Sequence, residues 1–329
     1  MENFEGLISD LEEFGIDAGL ARSGDIVVAL ESREVADLAD EAELMRRFGY
    51  QVELLDGDQV RAQITSERFL SGIWTLTGSA LVDPGRLADG LRAAAARAGV
   101  RIFERSPVRA VRSDVMVVTE AGVVNARRVL LATSAYPPLV RAIRRYAAPA
   151  YDYVLVTEPV DANAIGWSAR QGVSDTGNRF HYSRQTADGR ILWGGYDAVY
   201  RYGGPVGPQL EGVRFTHRWG GAIDTCSRFS VFFGRALGGR VAYALGCTGL
   251  GVGASRFGGR VALDLLDGRA GEATELAMVG RRPLPFPPEP LRRAVIQLTR
   301  NRLAAADRNE GRRGLWLTAL DRLGLGFDS

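Results

Sequence analysis

The sequence predicts a mixed fold in which an α/β unit is interleaved with an antiparallel, β-rich unit. Three observations predict it. Helix and strand patterns alternate within residues 81–147 and again within 234–270. Residues 15–80 and 148–233 are dominated by strand patterns, and aromatic residues gather from Tyr151 to Trp219. A proline-rich stretch, Pro283–Pro290, sets off residues 271–329 as a helical tail.

The first sixty residues read as helix, strand, helix. An amphipathic opening helix carries Phe4, Leu7, Ile8 and Leu11 on one stripe, and a short strand follows over Asp25–Leu30. A charged helix over Glu34–Phe48 stops at Gly49, a residue suited to the left-handed cap position. Phe69–Leu81 is rich in β-branched and aromatic residues and reads as strand.

Asp83-Pro84 opens the next helix, an acid at the N-cap with proline at the first helical position, and Gly99 ends it. Val100–Phe103 reads as a strand directly behind it, as a βαβ layout requires. Pro107–Arg112 and Val115–Glu120 bracket Ser113-Asp114 as a hairpin, and Arg127–Thr133 reads as a buried strand. Further strands are expected at Tyr151–Pro159, Arg179–Arg184, Ile191–Gly194, Val213–Trp219 and Gly239–Leu245. A glycine loop over Gly246–Gly253 and a helix over Ala254–Leu266 follow. Helices at Leu291–Asp307 and Leu315–Leu323 complete the tail. Leu291, Val295 and Leu298 form a short apolar stripe, expected to dock on the domain rather than on a membrane.

Composition removes several function classes. The 329 residues are 46% hydrophobic and 24% charged, which excludes disorder, collagen and coiled coil as descriptions of the whole. Net charge is +2, so charge gives no reason to expect a nucleic-acid partner. All 41 basic residues are Arg, which excludes chemistry requiring a lysine amine. Two cysteines and two histidines allow neither a disulfide framework nor a zinc cluster, and no metal is expected. The acidic start lacks a signal-peptide head, and no apolar run approaches the roughly 18 residues of a bilayer span. The expected location is cytoplasmic, with no membrane partner. Charge is uneven: residues 1–60 hold 16 acids and 4 Arg, whereas residues 279–329 hold 10 Arg and 5 acids. A solvated face is the expected reading of both.

The stretch Gly246-Cys247-Thr248-Gly249-Leu250-Gly251-Val252-Gly253-Ala254-Ser255-Arg256-Phe257-Gly258-Gly259 carries the most chemistry. It lies between a strand and a helix, where glycines admit close approach and free helix N–H groups favour a negative oxygen. Gly249–Ala254 formally matches the G-x-G-x-x-A dinucleotide fingerprint, yet Asp264–Arg269 follows where a second strand is needed. A nucleophile elbow at Ser255 fails, because Phe257 replaces the last glycine and both histidines precede the serine. A tight packing turn is the remaining alternative for a glycine cluster in isolation.

The cluster is not isolated. Val82–Leu87, Ser106-Pro107-Val108, Arg127–Ser134, Thr157-Glu158-Pro159, Trp193-Gly194-Gly195 and Thr216–Gly221 accompany it in order. Together, over nearly all of residues 1–310, they resemble the D-amino-acid-oxidase-like FAD-dependent oxidoreductases, the family of glycine oxidase and γ-glutamylputrescine oxidase. The resemblance implies FAD as cofactor, an amine or amino acid as small-molecule substrate, and hydride transfer from the amine-bearing carbon to flavin N5. Residues 81–147 and 234–270 would form a partial, Rossmann-like FAD-binding domain; 15–80 and 148–233 would form the substrate domain. Val108 would touch the adenosine, and Ala132 and Thr133 would lie beside the diphosphate. Thr248, Gly249, Gly251 and Val252 would line the flavin pyrimidine edge. Tyr153, His181, Tyr182 and Trp193 are candidates for the substrate-facing side of the aromatic sheet, with ordinary packing as the competing role of each. The catalytic residue stays unassigned, since a neutral amine needs no dedicated base. His217, Cys226 and Cys247 are expected to be structural or inert.

Three departures from the family pattern temper these implications. The family opens with a strand, a G-x-G-x-x-G helix and an acidic ribose ligand, and this chain starts about where that unit and its Gly/Ser-rich sequel end. The connection from Tyr196 to Val213 is short, and Cys247 stands where an aromatic is common. The chain therefore reads as truncated, with FAD weakly bound or absent and an apolar sheet edge left unpaired. The alternative function is a flavin-free remnant or a partner-dependent subunit.

Overall fold

A computed structural model describes residues 2–136, 139–161, 165–167, 169–178, 180–195, 213–309 and 311–325. The chain begins with α1 (Glu2–Glu13), β1 (Asp25–Ala29), α2 (Ser32–Arg47), β2 (Val52–Asp56), α3 (Gly57–Gln63), β3 (Ser71–Thr75) and α4 (Pro84–Arg97). The start of α2 is fixed by Glu34, whose buried carboxylate accepts the Leu30 and Glu31 N–H groups at 2.9 and 3.1 Å. Asp56 caps α3, accepting from the amides of Asp58 and Gln59, while Gln59 returns a bond to the Asp56 N–H. Asp83 caps α4 through the amides of Gly85 and Arg86, with Pro84 at the first helical position.

The middle of the chain supplies β4 (Val108–Val111), β5 (Met116–Thr119), β6 (Val123–Asn125), β7 (Val129–Leu131), β8 (Ala148–Thr157), β9 (Gly172–Asp175), β10 (His181–Gln185) and β11 (Ile191–Gly195). Then come β12 (Phe215–Thr225), β13 (Phe232–Ala236), β14 (Val241–Leu245), α5 (Gly251–Asp267), α6 (Glu272–Glu275), α7 (Ala277–Gly280), α8 (Leu291–Arg308) and α9 (Leu315–Arg322).

These strands make a mixed α/β fold with three sheets. The largest has eight strands in the order β12-β8-β11-β10-β9-β1-β3-β2, so residues 25–75 and 148–225 share one hydrogen-bonded surface. Only the β1–β9 contact within it is parallel. One face is covered by α3 and the 165–167 turn through Ile26, Val28, Val60, Ile165, Trp167 and Val173. The opposite face meets α2 through Ala29, Leu38, Ala42 and Ile73. The second sheet, β13-β14-β7, has β14 buried at its centre and packs α5 on one side. The third, β4-β5-β6, is the expected hairpin extended by one strand.

Several expectations change. Val100–Phe103 is not a strand: it has no ladder partner, and Val100, Ile102 and Phe103 are 55%, 45% and 65% exposed. A strand is stabilised by its neighbour, and among the described residues none lies beside this segment. The Arg127–Thr133 strand is shorter than expected and half open: Val129–Leu131 pairs only with β14, and Leu130 is exposed. Phe69–Leu81 contracts to β3, with β2 and α3 inserted ahead of it. The helix after the glycine cluster starts at Gly251, so the last three residues of the expected loop belong to its first turn. In the tail, α8 buries Thr299, Leu303 and Ala306, which lie four and three residues apart, and leaves Leu291 and Leu298 exposed. That face packs on α9 through Leu317, and Asp307 holds the Asn178 side chain at 2.6 Å. The Tyr196–Val213 connection falls almost wholly in residues 196–212, outside the described residues. Among the described residues, no helix is long and apolar enough to cross a membrane.

Candidate functional site

The parallel pair β7 and β14 determines where a site can form. Tyr243 lies opposite Leu131, so both strands release the chain at the same sheet edge. Carboxyl ends of parallel strands are where open α/β sheets take ligands. From β7 come Ala132, Thr133 and Ser134; from β14 comes the glycine segment.

Gly246 makes the corner. Its φ is +76°, and a Cβ there would lie 2.8 Å from the Phe232 ring and 2.9 Å from Cys226. Neither the backbone nor the space admits a side chain. Thr248 and Gly249 also have positive φ, 49° and 88°. Thr248 hydroxyl donates to the Gly246 carbonyl at 3.0 Å, so it pins the loop internally. Leu250, at the N-cap of α5, provides no side-chain cap. The first-turn amides of Gly251, Val252 and Gly253 therefore lie at the positive end of a 17-residue helix.

Asp224, at the end of β12, joins these pieces and was not singled out from the sequence. It is 3% exposed, and its Oδ2 accepts the Gly246 N–H at 2.6 Å. Its carboxylate also accepts from the Cys247 amide and the Ser134 hydroxyl. Its main-chain carbonyl accepts the Thr248 N–H at 3.1 Å. Burial pushes the Asp224 carboxyl above its ordinary range, and these hydrogen bonds oppose the shift. The only sequence signal was an acid ending a run of small and apolar residues, Gly220-Gly221-Ala222-Ile223-Asp224.

Among the described residues, the buried polar atoms without a partner include Thr133 Oγ1 just after β7, Thr225 Oγ1 next to Asp224, and Asn3 Oδ1 on α1. Asn3 reaches the helix because α1 lies on α5; its Nδ2 donates to the Gly253 carbonyl at 2.7 Å, and Arg256 pairs with Asp10 at 2.6 Å. Val108 packs on the core shared by Leu131 and Tyr243. Cys247 is half-buried, and burial pushes its thiol up to about 11, so it is a protonated, unreactive group.

The aromatic candidates divide between two faces. Tyr153, His181 and Trp193 share one face of the large sheet: His181 and Tyr153 flank Gly195 in one cross-strand row, and Trp193 is two residues along. The His181 and Trp193 rings are 5.8 Å apart, and His181 Nδ1 lies 2.9 Å from Asp175. Tyr182 does not join them, because successive strand residues face opposite sides. Its hydroxyl donates to Asp152 at 2.6 Å; burial, then this partner, pushes the phenol up, so it stays a donor. Tyr153 pairs with Gly220, which lies four residues before Asp224 on β12, about 13 Å along the strand. Gly220 and Asp224 are on the same face of that strand, so the face bearing Tyr153, His181 and Trp193 runs toward the glycine corner.

The dinucleotide reading of Gly249–Ala254 fails in the structure. Beyond α5 the chain turns at Gly268, with φ +70°, into the short helices α6 and α7, and among the described residues no second strand follows. Among the described residues, no group of three or more His, Cys, Asp or Glu could hold a metal ion.

Comparison with known proteins now identifies the class. The family model for DAO, the FAD-dependent oxidoreductases, matches residues 2–265, and the chain belongs to this family. It is 30% identical over 284 residues to gamma-glutamylputrescine oxidoreductase of Escherichia coli (strain K12), covering 80% of this chain and 66% of the relative. It is 27% identical over 227 residues to glycine oxidase of Geobacillus kaustophilus (strain HTA426), covering 64% of this chain and 60% of the relative. The chain thus spans under two thirds of the length of these curated relatives. Among solved structures, L-proline dehydrogenase from P. horikoshii superposes with a TM-score of 0.70 at 18% identity, over 83% of this chain and 79% of that one. Glycine oxidase from Geobacillus kaustophilus gives 0.69 at 20% identity, over 82% and 79%. The fold is that of these oxidoreductases.

Proposed function

We propose that this chain forms the flavin-edge and substrate-cover parts of an FAD-dependent oxidoreductase acting on an amine or amino acid. The observation that carries the reading is the corner at Asp224, where the ends of β7, β12 and β14 converge beneath the uncapped first turn of α5. In this reading residues 81–147 and 234–270 make the cofactor side, and 15–80 and 148–233 make the cover.

The residues present fit one edge of FAD. The amides of Gly251 and Val252 are oriented to hold a negative oxygen, and Gly249 offers open space, with nothing within 4 Å of a Cβ. Thr133, with its unpartnered hydroxyl, and Ala132 hold the diphosphate side, and Val108 lies against the adenosine through its backbone. Bound FAD supplies a two-electron acceptor for the carbon bearing the amine. The chain's own contribution is positional and electrostatic. The α5 dipole stabilises negative charge at its first turn, and Asp224 locks the loop so that little reorganisation is needed. Tyr153, Trp193 and His181 present an aromatic surface with one polar edge to the substrate. Tyr182 supports that surface from behind through Asp152.

A second reading, a partner-dependent subunit, is favoured by one observation: among the described residues β7 is paired on one side only, and its Leu130 is exposed. Such an edge accepts a further parallel strand. The diphosphate and ribose groups that a first βαβ unit supplies in the family have no counterpart among residues 1–30. Each missing charge-assisted hydrogen bond is worth about 1.5–3 kcal/mol, so FAD affinity for the 329-residue chain should fall by several orders of magnitude. Titration with FAD followed by flavin fluorescence is expected to give a dissociation constant well above the micromolar range. A low-micromolar or tighter value would show that the chain holds FAD by itself and defeat the weak-binding expectation.

A further inference from the structure

A cavity of about 290 Å³ lies between the start of α4, the segment around Gly19 and the β10–β11 turn. It is separate from the glycine corner, and three arginines line it: Arg86, Arg170 and Arg184. We propose that it is a binding site for a small oxyanion, a carboxylate or phosphate compound, held by Arg170 and Arg184.

Among the described residues, two of the three arginines have no carboxylate bonded to them. Arg86 is paired with Asp17. Arg184 is half-buried, and its Nη1 donates only to the Val82 carbonyl, at 2.6 Å. Arg170 also lines the cavity, in a left-handed backbone conformation, φ +54°. Neither Arg170 nor Arg184 has a carboxylate partner among the described residues. Burial works first against the Arg184 charge; Asp83 offsets part of that, and the like charge of Arg170 adds to it. Two cations that repel each other beside a half-buried cavity favour an anion between them.

Two acids also line the cavity, Asp83 and Asp188, and both are already engaged. Asp83 Oδ1 caps α4 through two amides. Asp188 accepts the Thr186 hydroxyl at 2.6 Å and Arg190 Nε at 2.7 Å, drawing it toward the hairpin. The planar guanidinium fork suits carboxylate and phosphate oxygens, which it can engage through two parallel bonds. The volume lies at the lower end of small-molecule sites, so it fits a compact anion rather than a nucleotide.

Isothermal titration calorimetry of the full chain with succinate and with inorganic phosphate, at chloride-matched ionic strength, tests this. Saturable one-to-one binding of at least one probe is expected, and the preferred probe identifies the chemistry. Arg170→Met, at an exposed position, should weaken binding at least tenfold with unfolding by denaturant unchanged, and Arg184→Met should weaken binding as much. Arg92→Met on the outside of α4 should leave it unchanged. Absence of saturable binding with both probes, equal affinity in Arg170→Met, or an equal loss in Arg92→Met would overturn the proposal. FAD affinity is not involved, so the result is independent of the flavin reading.

Discussion

The glycine corner and the aromatic face of the large sheet are built in opposite ways. At the corner, position is set by the main chain: Gly246 has no room for a side chain, Thr248 turns its hydroxyl inward, and Asp224 collects amides from a neighbouring segment. On the aromatic face, Tyr153, His181 and Trp193 are exposed side chains on strands, and β12 is exposed on both faces from Phe215 to Ala222. The difference suits the two tasks proposed for them. A cofactor edge common to a family can be held by backbone geometry, which tolerates sequence change. A substrate cover is selected by side chains, which can change without loss of fold.

The contrast can be broken most forcefully at glycines. Gly246→Ala adds a left-handed strain and a clash with Phe232 and Cys226, and should cost about 2–4 kcal/mol in denaturant unfolding. A cost near zero would mean the corner is not rigid. A smaller effect concerns a second pair, the partly or fully buried acids. Asp224 is surrounded by donors, whereas the carboxyl of Asp25 at the start of β1 has no hydrogen bond among the described residues, and burial pushes it up to about 6. Because that value lies above the ordinary 3.8, its stabilising share is complete below about pH 4 and is lost as pH rises through 6. Asp25→Asn should therefore be more stable than the parent by about 2–3 kcal/mol at pH 8, with the gain vanishing near pH 4. A pH-independent difference would contradict this origin. The smallest effect belongs to the sheet behind the aromatic face: Gly221→Ala on exposed β12, with nothing within 4 Å of the new Cβ, should change stability by less than about 0.5–1 kcal/mol, in the stabilising direction. A large loss there would mean that β12 is covered.

How much of this was legible in the sequence follows from the same contrast. Helix α4 was readable because Asp83, Pro84 and Gly99 each act locally, and the glycine segment because positive φ and close approach have a residue signature. The start of α3 carried an equally local signal in Asp56 and Gln59, a capping box, but a five-residue strand in front of it hid the element. Val100–Phe103 has the composition of a strand, yet pairing is non-local, and composition cannot supply the neighbour. Asp224 was invisible for a related reason: its partners, Ser134 and Gly246, are 90 and 22 residues away. Tyr182 was grouped with His181 by aromatic content, although the period of two separates consecutive residues once the strand is certain.

Hydrogen–deuterium exchange of the 329-residue chain, with and without millimolar FAD, tests the central claim most directly, because it reads location rather than turnover. Added FAD should slow exchange at the amides of Gly251, Val252 and Gly253 and over Ala132–Ser134, leaving the α8–α9 tail unchanged. Protection elsewhere, with the first turn of α5 exchanging as fast as in free protein, would contradict the assignment of the glycine corner as the flavin edge.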